Sequence, residues 1–280
     1  MDSRFNSPAE IASLVSKSGV TKSMLPLPKM ILLGLMAGAF IAFGGAASDV
    51  AMHGVADVGL ARVVAGVIFP VGLMLVVFTG SELFTGNCLM IIPTLEKKIK
   101  VASMLRNLVV VYISNFVGAM IIDLLITFSG QLNYSNGGLG AFTIKVALAK
   151  TTINPATAII SGILCNILVC LAIVMATGAT DAIGKIFGVF FPICAFVVCG
   201  FEHCVANMFY IPTGVMAAMN PEYVAKAQEL YGITAQQCQS LANLSGCESL
   251  LFVTIGNIIG GMVFVGLPLY FAYIRKKKSA

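Results

Sequence analysis

The sequence predicts an all-α integral membrane protein with six transmembrane helices, built as two inverted three-helix halves whose second and fifth spans are broken. Three observations predict this fold class: a composition too apolar for a water-facing surface, six long hydrophobic segments, and a polar motif that recurs at a fixed offset. Of 280 residues, 58% are hydrophobic and 10% charged, with a mean hydropathy of +0.96. Soluble domains carry about 25% charged residues, so a folded chain of this kind needs lipid around it. The formal net charge of +5 could suggest a nucleic-acid partner. Its distribution argues for membrane topology instead.

Taken in order, residues 1–29 form an N-terminal amphipathic segment ahead of the first span. Ser7-Pro-Ala-Glu10 has the form of a capping box with proline at the first helical position. Ile11, Leu14 and Val15 then share one helical face, with Lys17 nearby. The pattern predicts a short helix lying on the membrane surface, against the plainer alternative of a polar tail. Hydrophobic segments follow at about 30–48, 62–93, 108–129, 155–177, 186–217 and 248–274, and residues 275–280 form a basic tail.

Six spans place both ends on one side. That side holds Arg4, Lys17, Lys22, Lys29, Lys97, Lys98, Lys100, Arg106, Lys185, Arg275, Lys276, Lys277 and Lys278, whereas the other holds only Arg62, Lys145, Lys150 and Lys226. The excess predicts cytoplasmic termini in a multi-pass protein of the cell membrane. Segments two and five are too long for simple spans. Their 32 residues each correspond to about 48 Å of straight helix, against a hydrocarbon core of about 30 Å. Each carries a polar, glycine-containing cluster near its middle, which predicts a break there.

Those clusters are related. Gly80-Ser-Glu82-Leu-Phe-Thr-Gly-Asn87 and Gly200-Phe-Glu202-His-Cys-Val-Ala-Asn207 both fit G-x-E-x-x-x-x-N, 120 residues apart. Segment three carries Ser114-Asn115-Phe-Val-Gly118-Ala-Met120, and segment six carries Gly256-Asn257-Ile-Ile-Gly260-Gly-Met262. Gly34 and Gly38 of segment one correspond more weakly to Gly162 and Asn166 of segment four. Residues 30–274 therefore read as one channel domain with halves at about 30–129 and 155–274. Three spans per half is an odd number, so the halves insert in opposite senses, an arrangement associated with transport. Polar groups at membrane depth are tolerated where they line a cavity or are buried in protein, and a central permeation site explains them best. Helix ends at the two breaks would offer N–H groups to an anion.

At these residues the chain resembles the formate/nitrite transporter family of pentameric anion channels. The motifs that carry the resemblance are Glu82-Leu-Phe-Thr-Gly, Tyr112-Ile-Ser-Asn-Phe-Val-Gly-Ala, Ala149-Lys150-Thr-Thr, Gly162-Ile-Leu-Cys-Asn166, Gly200-Phe-Glu-His203-Cys-Val-Ala-Asn and Thr254-Ile-Gly-Asn257-Ile-Ile-Gly-Gly. The resemblance implies an aquaporin-like protomer with one pore per subunit of a homopentamer. It places the family's central histidine on His203, its broken-helix threonine on Thr85, its vestibule lysine on Lys150 and its pore asparagines on Asn166 and Asn257. The family's apolar constrictions fall on Phe69, Leu73, Phe84 and Phe196. The glycine after Thr85 is more like nitrite and hydrosulfide members than formate members. Asp123 matches no family residue, and the alternatives for it are a subunit contact or a place near the outer surface.

The expected roles follow from side-chain chemistry. His203 hydrogen-bonds a permeating anion and supplies or relays a proton, unless it is a satisfied core histidine. The only other histidine, His53, falls in an outer loop. Lys150 draws anions into a vestibule, unless it merely snorkels to the interface. Thr85 offers a hydroxyl, and Asn166 and Asn257 hold His203 or the loops in place. Glu82 and Glu202, with Asn87 and Asn207, are structural at the breaks, the carboxylates bonding backbone N–H groups or staying protonated. Phe69, Leu73, Phe84 and Phe196 are either plain core or two apolar slits that exclude hydrated ions. Most of the eight cysteines read as buried thiols, while Cys238 and Cys247 share an outer loop and could pair. That loop, 220–245, begins Asn-Pro-Glu and is expected to hold short helices over the vestibule.

The leading expectation is a channel for small monovalent weak-acid anions: formate, nitrite or hydrosulfide. No metal, cofactor or nucleic-acid partner is expected. The alternative is a neutral-solute channel of aquaporin or ammonium type, against which stand the lack of a repeated Asn-Pro-Ala, the motif occurring only once at 154–156, and the single pore histidine. The lack of a dinucleotide fingerprint, metal-ligand clusters and paired haem histidines speaks against a membrane enzyme.

Overall fold

A computed structural model describes residues 5–275. Arg4, Lys276, Lys277 and Lys278, with the rest of the basic tail beyond Arg275, lie outside the described residues. The described chain is helical almost throughout. Its helices are α1 (Pro8–Ser23), α2 (Leu27–Met52), α3 (Val58–Thr79, with a turn at Phe69 and Pro70), α4 (Phe84–Leu95), α5 (Val101–Phe128), α6 (Gly138–Thr151), α7 (Pro155–Gly178), α8 (Ala182–Cys199), α9 (Cys204–Ala218), α10 (Pro221–Tyr231), α11 (Ala235–Ala242) and α12 (Ser249–Ile274). Six of these, α2, α3, α5, α7, α8 and α12, are long and apolar enough to cross a membrane. None buries more than half of its apolar window inside the chain, so their outer faces need lipid or other subunits.

Two helix pairs organise the bundle. Helix α2 lies along α5, and α7 lies along α12. Close approach is possible because a Cβ at Gly118 would collide with the Leu35 carbonyl, and one at Gly260 with the Ile163 carbonyl. Small residues at such contacts let backbones touch where no hydrophobic effect drives helix association in lipid.

The N-terminal expectation needs one correction. Ser7 does cap α1, its hydroxyl accepting from the Glu10 N–H while the Glu10 carboxylate accepts from the Ser7 N–H at 2.7 Å. Those Ser7 bonds hold the Glu10 carboxyl below the usual glutamate value. Yet α1 does not turn its apolar face to a membrane surface. Ile11 and Val15 are buried against Leu89, Ile92, Cys170 and Val265, while Leu14 points away. The face that reads as lipid-binding docks on α4, α7 and the end of α12, because those helices present an apolar floor that the sequence of α1 alone does not reveal.

Helix α6 comes from residues that the hydropathy pattern leaves as a loop. It is buried along most of its length and packs against α9 and α10. Helices α10 and α11 form within the 220–245 loop, capped by Asn220 and Thr234. Cys238 and Cys247 both remain free thiols, each raised above the ordinary cysteine value by burial, with Glu248 adding to the effect at Cys247.

Candidate functional site

Two short non-helical links define the centre. Helix α3 stops at Thr79, Gly80 takes the left-handed conformation (φ 67°, ψ 28°), and α4 begins at Phe84. Helix α8 stops at Cys199, Gly200 takes the same conformation (φ 72°, ψ 29°), and α9 begins at Cys204. Only glycine adopts that backbone without a steric penalty.

Each link exposes backbone groups that must be satisfied in a dry interior. One asparagine serves each. Asn115 Oδ1 accepts from the Phe84 N–H at 3.0 Å, while its Nδ2 donates to the carbonyls of Gly34 (2.8 Å) and Glu82 (2.9 Å). Asn257 Oδ1 accepts from the Cys204 N–H at 2.9 Å, and its Nδ2 donates to the carbonyls of Gly162 (2.8 Å) and Glu202 (2.9 Å). Asn166 Nδ2 donates to the carbonyls of Thr85 (3.2 Å) and Asn257 (2.6 Å), which ties the two links together. Asn166 and Asn257 are thus completely buried clamps.

This arrangement corrects the expectation for the two glutamates. Their carboxylates do not cap the backbone; the asparagines do. Glu82 accepts from Lys22 Nζ at 2.8 Å, from Asn87 Nδ2 at 2.7 Å and from Asn107 Nδ2 at 3.2 Å. Glu202 accepts from Lys150 Nζ at 2.6 Å and from Asn207 Nδ2 at 2.8 Å. Both are buried, and charge-assisted bonds compensate the loss of water. It also narrows the set of helix-end donors, because the Phe84, Cys204 and Ala206 N–H groups already have side-chain partners.

His203 is the N-cap of α9. Its Nδ1 accepts from the Ala206 N–H at 3.0 Å, so the neutral ring carries its proton on Nε2. Nε2 lies 2.9 Å from Thr85 Oγ1 in the first turn of α4. The pair joins the two links, both residues being buried. Phe196 tilts against the His203 ring at 5.8 Å between centroids and meets Phe69 edge-on at 5.5 Å. Phe84 packs edge-on against Tyr112 at 4.9 Å, and the Tyr112 hydroxyl meets Thr254 Oγ1.

A cavity of about 340 Å³ opens on the side of these groups that carries α6. Phe69, Phe196 and His203 form part of its wall, together with Lys150 and Glu202. Thr85, Leu73 and Phe84 are buried but do not line it. A smaller space of about 70 Å³ on the α1 side is lined by Lys22, Asn87 and Leu83. The structure thus brings His203, Thr85, Phe69 and Phe196 together, and sets Leu73 and Phe84 apart from the larger cavity.

Several participants escape a reading of the sequence. Lys22 sits 60 positions from Glu82 and reads as one more basic residue before a span. Asn115 was legible, since it matches Asn257 in the repeat. Asp49, Arg62 and Lys145 line the cavity without any motif to mark them. Asp123 occupies neither the surface nor an exposed contact. It is wholly buried within the chain, where it accepts from Thr213 Oγ1 at 2.9 Å and links α5 to α9. His53 bonds the Val50 carbonyl and Ser135, away from the centre. Among the described residues, no group of three or more His, Cys, Asp or Glu side chains is placed to hold a metal.

Six apolar helices around a buried, hydrogen-bonded polar path make this a multi-pass membrane protein of the transporter or channel class. The sequence profile described as "Formate/nitrite transporter" matches residues 9–271, and the chain belongs to that family. It is 39% identical to a "Probable formate transporter" of Methanothermobacter thermautotrophicus, over 99% of this chain and 100% of that one. It is 33% identical to "Formate channel FocA" of Escherichia coli (strain K12), over 96% of this chain and 95% of that one. Among solved structures, "Pentameric formate channel with formate bound" superposes with a TM-score of 0.78 at 31% identity, covering 89% of this chain and 98% of that one.

Proposed function

We propose that the protein is a membrane channel for small monovalent weak-acid anions, with protonation at His203. Family membership and formate channels of nearly equal length support the anion class. The formate named in those relatives also favours formate over the nitrite or hydrosulfide suggested by Gly86. The observation that carries the mechanism is the His203–Thr85 pair behind Phe69 and Phe196. The ring presents one Nε2–H, the hydroxyl is a second donor or acceptor, and the phenyl rings exclude hydrated ions. His203 relays a solvent proton: the ring gains one to become imidazolium, gives one from Nε2 to the anion bonded there and returns to neutral, and the anion passes the rings as the neutral acid, which avoids moving a bare charge through hydrocarbon. The ion-paired Lys150 raises the local anion concentration at the cavity mouth. Asn166, Asn257, Glu82, Glu202, Asn87 and Asn207 keep the links in place and do not touch the anion.

The finer architecture belongs to the same proposal. The paired bonds at the two links support an aquaporin-like inverted repeat with the second and fifth spans broken, with halves at about 30–129 and 155–274 of one channel domain. The pentameric neighbour and the lipid- or subunit-seeking span faces support a homopentamer with one pore per subunit. The lysine and arginine bias supports a cell-membrane location with both termini cytoplasmic, which puts the 340 Å³ cavity outside.

The test is flux into proteoliposomes of purified protein with formate, nitrite, hydrosulfide, chloride and ammonium across a pH series. Saturable, pH-dependent flux of the weak-acid anions with little chloride or ammonium is expected. Ammonium or water flux without anion flux would overturn the proposal.

A further inference from the structure

Asp49 is unexplained by the pathway described so far. It lies in the last two turns of α2, is 4% exposed, and lines the 340 Å³ cavity. Its Oδ2 is buried without a hydrogen-bond partner. An acid held in that state costs free energy, and it persists where a transient partner supplies the missing bond. The groups that face the same cavity are Arg62 on α3, Lys145 and Lys150 on α6, Glu202 and His203 at the second link, and Tyr210 on α9. Most are committed. Glu202 spends both oxygens on Lys150 and Asn207, Lys145 lies over the Tyr231 ring, and His203 spends Nδ1 on Ala206 and Nε2 on Thr85. Asp49 is the carboxyl group of the cavity with a free oxygen.

We propose that Asp49 is the proton-exchange residue of this cavity, a site for the neutral weak acid that has crossed the Phe69–Phe196 pair. This rests on the weak-acid reading of the pathway. An acid arriving from the centre carries an O–H or S–H donor, and Asp49 Oδ2 accepts it. The acid's O–H bond breaks, a new O–H forms on Oδ2, and the anion leaves past Lys150 and Arg62. The proton then passes to bulk water at the cavity mouth. In the opposite direction the protonated carboxyl donates to an incoming anion, which enters the slit as the neutral acid. Both directions conserve protons and need no further reactant. Chloride, which has no stable neutral acid in water, gains nothing from this group.

The experiment compares the wild type, Asp49→Asn and Asp49→Glu in proteoliposomes, reading formate flux and internal pH together from acid to neutral buffer. The amide keeps the shape and removes an unpartnered charge, so Asp49→Asn should assemble normally, which size-exclusion chromatography of the purified protein checks. The expected result is a loss on the order of tenfold at neutral pH, below the roughly 100-fold or more typical of a positioned proton-transfer group because water at the cavity mouth partly substitutes for the carboxyl. In acid buffer, where solution supplies the neutral acid, the loss should shrink towards zero. Asp49→Glu should restore much of the neutral-pH flux. An Asp49→Asn profile that parallels the wild type overturns this proposal and leaves the channel reading intact. A uniform loss at every pH, or no rescue by glutamate, overturns it too, as a purely structural role would give that. A wild type that carries no weak-acid anion would sink the channel reading itself.

Discussion

The link at Gly80–Phe84 and the link at Gly200–Cys204 share a scaffold and differ in chemistry. Both turn on a left-handed glycine, both have their first helical N–H held by an asparagine 31 or 53 residues later, and both hold a Glu–Asn–Lys cluster. At the N-cap position, however, the first link has Leu83 and the second has His203, in nearly the same backbone conformation (φ −106° and −111°). Leucine makes no side-chain cap, whereas histidine caps Ala206 and points its other nitrogen at Thr85. The break therefore does not require the imidazole. What the second link adds to this shared hydrogen-bonding framework is an imidazole donor.

The largest expected effect tests that difference directly. His203→Leu makes the second link like the first, and should lower weak-acid flux by about 100-fold or more if a positioned proton-transfer group is lost. Its stability should fall by only about 1 kcal/mol, the worth of a side-chain cap. Retained flux with an unchanged pH profile would break the comparison. Thermal unfolding of the purified protein supplies the second number.

Next come the clamps. Asn115→Ala and Asn257→Ala each strand a buried N–H and two carbonyls, at roughly 1–3 kcal/mol per group. The two variants should lower the unfolding midpoint by similar amounts, and a marked inequality would mean that the frameworks are not equivalent.

The lysines should part company. Lys150 and Lys22 are 17% and 25% exposed and pair with glutamates that are 7% and 3% exposed. Breaking a buried pair costs about 3–5 kcal/mol, less with solvent access, so both methionine variants should destabilise by somewhat less than that. Only Lys150→Met is expected to raise the formate concentration at half-saturation when substrate enters from the cavity side. Equal kinetic effects from both sides of the bilayer would refute the assignment.

The smallest effect concerns α1, which delivers Lys22 to the first link. Ser7→Ala removes its cap at a cost of about 1 kcal/mol and should speed limited proteolysis near Pro8. Glu10 has a lowered folded value, so its contribution is present above the unfolded glutamate value and fades as pH falls through the folded one. Proteolysis of wild-type α1 should therefore quicken in acid, and that acceleration should shrink in Ser7→Ala, where the residue-7 backbone N–H still donates to Glu10 but the hydroxyl no longer does.

The sequence carried the framework of this site further than its contacts. G-x-E-x-x-x-x-N and small-N-x-x-G repeat because each link needs a glycine turn, a carboxylate and an asparagine in register, and such local requirements leave a spacing. Asn115 could have been assigned a role from Asn257 by that correspondence alone. Lys22, by contrast, belongs to no repeat. Its place at Glu82 depends on α1 docking against α4, which follows from the shape of a surface built by residues distant in the chain.

Composition, segment length and the 120-residue offset pointed by themselves to six helices long and apolar enough to cross a membrane, with polar clusters between or within them. Each is a statement about solvent and periodicity, and those act along the chain. Tertiary structure alone decided that asparagines rather than glutamates cap the links, that Nε2 of His203 meets Thr85, and that Asp49 lines a cavity with a buried Oδ2 that has no partner. Those facts depend on which of several donors lies within about 3 Å, and hydrogen bonding is too short-ranged and directional for sequence spacing to specify it.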